Sequence, residues 1–212
     1  GGSRSRNRPG NDKSHFPSLD CPDFLGKPSR DLRTSSTVGV DSFIGKSLAK
    51  HCFANKIKFI GTTRRLKRVN DINKFLDLNH DPSLVWFPND LSTAIICAGI
   101  TSIEYCQKNP ELSRNVNVIN TVKLIELLIK RDVTVIFPST NLVFNGLIPF
   151  IKPHEDQIPT CEYGSQKAEV EKRLLEKCDK KCIIRFSKVV DKNMSLINSW
   201  ISNMEENKII SP

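Results

Sequence analysis

From Ser36 onward the chain alternates short, β-branched apolar runs with longer segments whose apolar residues recur at helical spacing. That alternation constrains the fold more than any single motif, because strands separated by helices pair in parallel and bury both faces of one sheet. A strand over Ser36–Val40 leads into a helix over Ser42–Phe53 with Phe43, Ile44, Leu48 and Cys52 on one side. A second strand covers Lys58–Thr62, a shorter third lies near Phe75–Leu78, and a fourth spans Ala94–Ala98. Next come a helix over Pro110–Arg131, with Val118, Val122, Ile125 and Ile129 at helical spacing, and a strand over Val133–Pro138. Helix Tyr163–Cys178, strand Cys182–Phe186 and a last helix over Leu196–Glu206 complete the order. The expected class is α/β, a doubly wound parallel sheet.

At 212 residues the chain is long enough for one such domain with a full core. Residues 1–33 are rich in Gly, Ser, Pro, Asn and Arg without periodic hydrophobicity, so a flexible basic leader is expected there. Residues 34–212 are expected to form the main domain. The missing initiator Met, and an end just past Ile209-Ile210, suggest a fragment. No apolar run approaches the roughly 18 residues of a membrane span. The net charge of +9 is concentrated in the leader and in Arg64, Arg65, Lys67 and Arg68, with no aromatic interleaving or helix-turn-helix pattern, so no nucleic-acid partner is expected. Seven scattered cysteines without a CxxC pair read as reduced thiols in a cytoplasmic protein, and Cys178 and Cys182 lack the neighbours of a metal site, so no metal is expected.

The first strand runs into Gly39-Val40-Asp41-Ser42-Phe43-Ile44-Gly45, a glycine-rich turn at a helix start. Backbone amides and the positive helix end there suit a pyrophosphate. Ser42 stands at the middle glycine position, where its hydroxyl serves either a phosphate or the helix cap; a tight turn without ligand gives the same pattern. After the second strand, Arg64 and Arg65 stand where an arginine favours a 2′-phosphate, hence NADP over NAD, with a solvated charge run as the alternative. Asp77, followed by Leu78, offers an acceptor for an adenine amino group or caps a turn.

Tyr163-Gly164-Ser165-Gln166-Lys167 opens a helix some two dozen residues after Ser139-Thr140. Positions i and i+4 share a helix face, so phenol and ammonium point the same way, and the positive charge is expected to lower the phenol's pKa. A hydroxyl from Thr140 or Ser139 can bind the same substrate oxygen. By itself the spacing also fits an exposed amphipathic turn.

Read in order, Gly39 to Gly45, Gly61 to Arg65, Cys97 to Thr101, Asn115 to Val118, Pro138 to Gly146, Tyr163 to Lys167 and Arg185-Phe186-Ser187 resemble an extended short-chain dehydrogenase/reductase. Among those the chain is most similar to dTDP-4-dehydrorhamnose reductase-like and sugar-nucleotide epimerase/dehydratase enzymes. The resemblance implies a Rossmann-like NAD(P)-binding domain whose small C-terminal substrate lobe, starting near residue 191, is largely absent. It implies Tyr163 as general acid/base, Lys167 also holding the nicotinamide ribose, and Thr140 (alternatively Ser139) as the catalytic hydroxyl. Gly39, Ser42, Phe43, Ile44, Gly45, Arg64, Arg65, Asp77, Leu78, Ala98 and Gly99 would hold NADP, or alternatively NAD. Asn117 would support the active-site side of its helix, or serve only as a buried, hydrogen-bonded residue. Ser42 and Asn141 depart from the family pattern, Asn141 replacing an acidic residue of the rhamnose reductases. The implied function is an NAD(P)-dependent oxidoreductase or epimerase acting on a nucleotide-activated sugar in polysaccharide or nucleotide-sugar biosynthesis. The alternative is a non-catalytic dinucleotide-binding sensor or scaffold. The family also allows a homodimer, which the residues themselves do not show.

Overall fold

The computed structural model describes residues 33–190 and 195–206. The expected leader lies outside them apart from Arg33, as do residues 191–194, where the small lobe is expected to begin. Strands β1 (Thr34–Val38), β2 (Phe59–Thr63), β3 (Asn73–Phe75), β4 (Leu91–Ile96), β5 (Thr134–Thr140) and β6 (Lys181–Phe186) form one sheet in the order β3-β2-β1-β4-β5-β6. Every neighbouring pair is parallel. This is the doubly wound parallel sheet expected from the alternation, in the Rossmann-like form that the resemblance implied. Its strand order reverses direction between β1 and β4, which leaves a crevice beyond their carboxyl ends.

The helices are α1 (Phe43–Ala54), α2 (Ile103–Lys108), α3 (Pro110–Arg114), α4 (Thr121–Lys130), α5 (Glu162–Lys177) and α6 (Ser195–Glu205). Right-handed crossovers that move outward from the sheet centre in opposite directions put α1 on one face and α4 and α5 on the other. Leu124 and Leu128 of α4 and Val170 and Leu174 of α5 are fully buried in one cluster with Val135 and Phe137 of β5. Among the described residues no helix is long and apolar enough to cross a membrane.

Three local expectations are corrected. The third strand is Asn73–Phe75, not Phe75–Leu78; its register, Gly61 opposite Asn73 and Thr63 opposite Phe75, is set by β2, while Leu76 and Leu78 turn down into the core. The helix expected over Pro110–Arg131 is broken: α3 passes into a π-helical turn at Asn115–Asn120 before α4 resumes. Finally, Ile44, Leu48 and Cys52 are half-buried, but Phe43 is 47% exposed. Positions 44, 48 and 52 form an i, i+4, i+8 stripe, and residue 43 lies about 100° off it.

Candidate active site

The glycine turn closes tightly. Gly39 adopts φ +86, and a Cβ there would come within 2.8 Å of the Ala98 backbone, so only glycine lets β1 turn this close to the end of β4. The turn is tied to β2: Gly39 N donates to Thr62 Oγ1 at 3.1 Å and Val40 N to Thr62 O at 2.9 Å. Ser42 is the N-cap of α1, its Oγ accepting from Gly45 N at 3.0 Å and donating to Gly39 O at 2.8 Å. Of the two roles open to that hydroxyl, the structure shows the cap. The amides of Phe43 and Ile44 lie in the first turn of α1, where helix geometry provides no acceptor. That is where a phosphate oxygen fits.

Beyond the turn lies a cavity of about 710 Å³, lined among others by Gly39, Asp41, Ser42, Thr62, Arg64, Arg65, Asp77, Leu78, Ala98, Gly99 and Tyr105. Its size suits an organic ligand. Eight of the residues expected at the cofactor therefore share one cavity, whereas Phe43, Ile44, Gly45 and Lys167 are not in its lining. Asp77 Oδ1 accepts from Asn79 N at 3.0 Å and Asn79 Nδ2 at 2.8 Å, the turn-capping role. A glycine cradle, open helix amides and a cationic rim fit a dinucleotide.

Tyr163, Lys167 and Glu171 form a buried i, i+4, i+8 row on α5, facing the Phe137–Thr140 end of β5. Gly164 makes the approach possible: a Cβ there would stand 2.2 Å from Leu142 O, in the 3-10 turn Asn141–Val143 that follows Thr140. Lys167 Nζ donates to Pro138 O at 3.0 Å and lies 4.3 Å from the Phe137 ring centroid and 5.9 Å from that of Tyr163. Burial lowers the lysine pKa to about 8, against the opposing pull of Cys97 and Glu171. Burial, with Cys106 and Cys161 adding to it, pushes the Tyr163 phenol up to about 12. The expected lowering of the phenol by Lys167 is thus not what the structure shows; desolvation wins while the ammonium is engaged by Pro138. Thr140 Oγ1 accepts from Leu142 N at 3.2 Å, but the Ser139 hydroxyl donates to Glu171 and is committed to the interior.

Glu171 was not singled out by the motif, although it repeats the Tyr163–Lys167 interval once more. Fully buried, it takes Arg185 Nη2 at 2.6 Å and Gln157 Nε2 at 2.5 Å, while Arg185 Nη1 donates to Pro153 O at 2.7 Å. The pair ties α5 and β6 to the chain that leaves β5. A second group sits in the π turn, where three asparagines hold the walls of the cavity. Asn115 Nδ2 donates to Asn79 O at 3.1 Å, Asn120 Nδ2 to Leu78 O at 2.9 Å, and Asn117 holds Ile100. Asn117 Nδ2 also donates to Gln166 Oε1 at 2.7 Å, and Gln166 donates to Ser113 at 2.7 Å. Of the two roles weighed for Asn117, the structure shows the buried, hydrogen-bonded one.

The profile of the RmlD substrate binding domain matches residues 36–208. The chain belongs to that family. Among solved structures of the same fold is dTDP-4-dehydrorhamnose reductase from Bacillus anthracis in complex with NADP, 19% identical with a TM-score of 0.68, the match covering 82% of this chain and 60% of that one. A hypothetical dTDP-4-dehydrorhamnose reductase from Sulfolobus tokodaii is 20% identical with a TM-score of 0.69, covering 82% of this chain and 63% of that one. UDP-glucose 4-epimerase from Thermotoga maritima, with UDP-glucose, is 19% identical with a TM-score of 0.63, covering 82% of this chain and 64% of that one. At these identities the likeness is one of fold. This family member spans about 60% of the length of the Bacillus enzyme. No curated protein matches its sequence.

Proposed function

We propose that the chain carries the dinucleotide-binding and proton-transferring half of an NAD(P)-dependent reductase or epimerase acting on a nucleotide-activated sugar. The observation that carries this reading is the buried Tyr163–Lys167 face of α5, set against the Thr140 end of β5 on the same sheet edge as the glycine-turn cavity. The Bacillus relative is bound to NADP and the Thermotoga relative to UDP-glucose, which supports the ligand classes. Free thiols at Cys52, Cys97, Cys106, Cys161, Cys178 and Cys182 suit the cytoplasm, where nucleotide sugars for polysaccharide synthesis are made.

In this reading the amides of Phe43 and Ile44, with Gly39, Ser42 and Gly45 shaping the turn, hold the pyrophosphate. Arg64, Arg65, Asp77 and Leu78 border the adenosine; Ala98 and Gly99 border the path toward β5. The dinucleotide, when bound, supplies hydride transfer at its nicotinamide. Thr140 orients the substrate oxygen. Tyr163, a phenol protonated at neutral pH and held more firmly so by burial, is in the form that gives a proton to a substrate carbonyl oxygen. Lys167 is charged at the same pH and holds the ribose hydroxyls.

A second reading, a dinucleotide-binding module without turnover, is favoured by the Lys167–Pro138 bond, which leaves Tyr163 without help from the ammonium. Calorimetry with NADP and NAD, followed by reduced-cofactor consumption across dTDP- and UDP-keto sugars and by epimer interconversion of dTDP- and UDP-sugars, separates the two. Binding with turnover that vanishes in Tyr163→Phe is expected; binding without turnover selects the module, and absence of binding sinks both.

A further inference from the structure

Asp41, the third residue of the glycine turn, lines the cavity together with Arg64 and Arg65. Its carboxylate accepts from the Thr63 hydroxyl and from Arg68 Nη1 at 2.7 Å, with Arg65 Nε at 4.0 Å. The aspartate side chain is 15% exposed, whereas those of Arg65 and Arg68 are 56% and 51% exposed. Burial pushes the carboxyl pKa up, but the bonds from Thr63 and Arg68 and the charges of Arg68 and Arg65 prevail and hold it below the ordinary value. The turn therefore presents a fixed anion at neutral pH. Arg64 alone of the three arginines has no hydrogen bond or ion pair among the described residues.

This arrangement changes what the basic run can do. A 2′-phosphate brought to the rim meets two guanidiniums whose charge is partly offset by a carboxylate that would also repel it. A ribose 2′-hydroxyl meets the same carboxylate as an acceptor. We propose that Asp41 is the cofactor-selectivity residue of this cavity: it draws Arg65 and Arg68 onto the glycine turn and so offsets the preference for a 2′-phosphate over a 2′-hydroxyl that the arginines would otherwise impose. The inference rests on the dinucleotide reading of the cavity and goes beyond it by assigning a residue that opposes the arginines.

Calorimetric titration of NADP and NAD into the full chain, unmodified and as Asp41→Asn, tests it without any turnover. In Asp41→Asn the ratio of NAD to NADP dissociation constants is expected to rise about tenfold or more, through tighter NADP, the scale of a hydrogen bond to a charged group. Equal weakening of both dinucleotides, an unchanged ratio, or a shift toward NAD overturns the proposal in favour of a merely structural aspartate. Should that variant fail to fold, Arg68→Gln serves: it leaves Asp41 less balanced and is expected to move the ratio toward NAD, and no movement overturns the proposal. If the unmodified chain binds neither dinucleotide, the dinucleotide reading itself has failed and this inference with it.

Discussion

Asn117 grips Ile100 by both backbone groups: its Nδ2 donates to Ile100 O at 2.8 Å and its Oδ1 accepts from Ile100 N at 2.7 Å. A side chain here does the work of a neighbouring strand, completing the backbone pairing of the segment that leaves β4 along the cavity wall. Replacing Asn117 by Ala strands the Ile100 groups and Gln166 Oε1. A loss of about 3 kcal/mol is expected in urea unfolding, since each stranded buried group costs about 1–3 kcal/mol. A loss under about 0.5 kcal/mol would show that water replaces the clamp.

Gly164→Ala forces the first turn of α5 off Leu142 O, the approach that brings Tyr163 beside the turn after Thr140. Overpacking against backbone outweighs the roughly 1 kcal/mol by which Ala favours a helix over Gly, for a net loss of about 2 kcal/mol. If the proposed activity holds, turnover falls further than dinucleotide affinity, because the glycine cradle at Gly39 is untouched. Thermal unfolding and calorimetry on one preparation check both halves.

The buried Glu171–Arg185 pair should behave asymmetrically. Glu171→Gln leaves the Arg185 guanidinium, 17% exposed, without its counter-charge, and a loss of about 3–5 kcal/mol is expected. Converting both to methionine should recover most of that loss, because the charge is then removed rather than orphaned. A double variant no better than the single one would contradict this account.

Lys167 links stability to pH. Its folded pKa near 8 lies below the ordinary 10.5, so between those values the unfolded chain binds more protons and stability from this group rises with pH. Each unit of displacement is worth about 1.4 kcal/mol. Lys167→Met is therefore expected to melt higher than the unmodified chain at about pH 7, with the gap narrowing as the pH approaches about 10. A gap that stays constant with pH would show that the ammonium is not destabilised by its site.

Where local pattern governs, the fold was legible. The strand–helix order, the glycine turn and the Tyr163–Lys167 face follow from runs, periods and one interval, and the structure has each in its place. What escaped depends on distant partners. The position of β3 is dictated by Thr63 opposite Phe75, not by the more apolar Leu76 and Leu78 beside it. The π turn hides because the apolar spacing of Val118, Val122, Ile125 and Ile129 survives one extra residue per turn. Three asparagines in six residues, poor helix formers, were the available hint. Asp41 carried no signal of its own within the glycine turn, since its partners Thr63 and Arg68 come from the next strand and beyond.

The π turn bears on what kinds of mutation the gene can absorb. Its wider winding fits one more residue than an α-helix would, and that surplus places Asn115, Asn117 and Asn120 opposite Asn79, Ile100 and Leu78. Losing a single codon between positions 115 and 120 would remove that surplus and let the segment rewind as α-helix, with whatever follows keeping its present orientation. The hydrophobic stripe of α4 would keep its facing, and the chain would still fold. The cavity walls would lose their ties together, so an in-frame deletion that looks mild in the helix would loosen the cavity at the carboxyl ends of the strands.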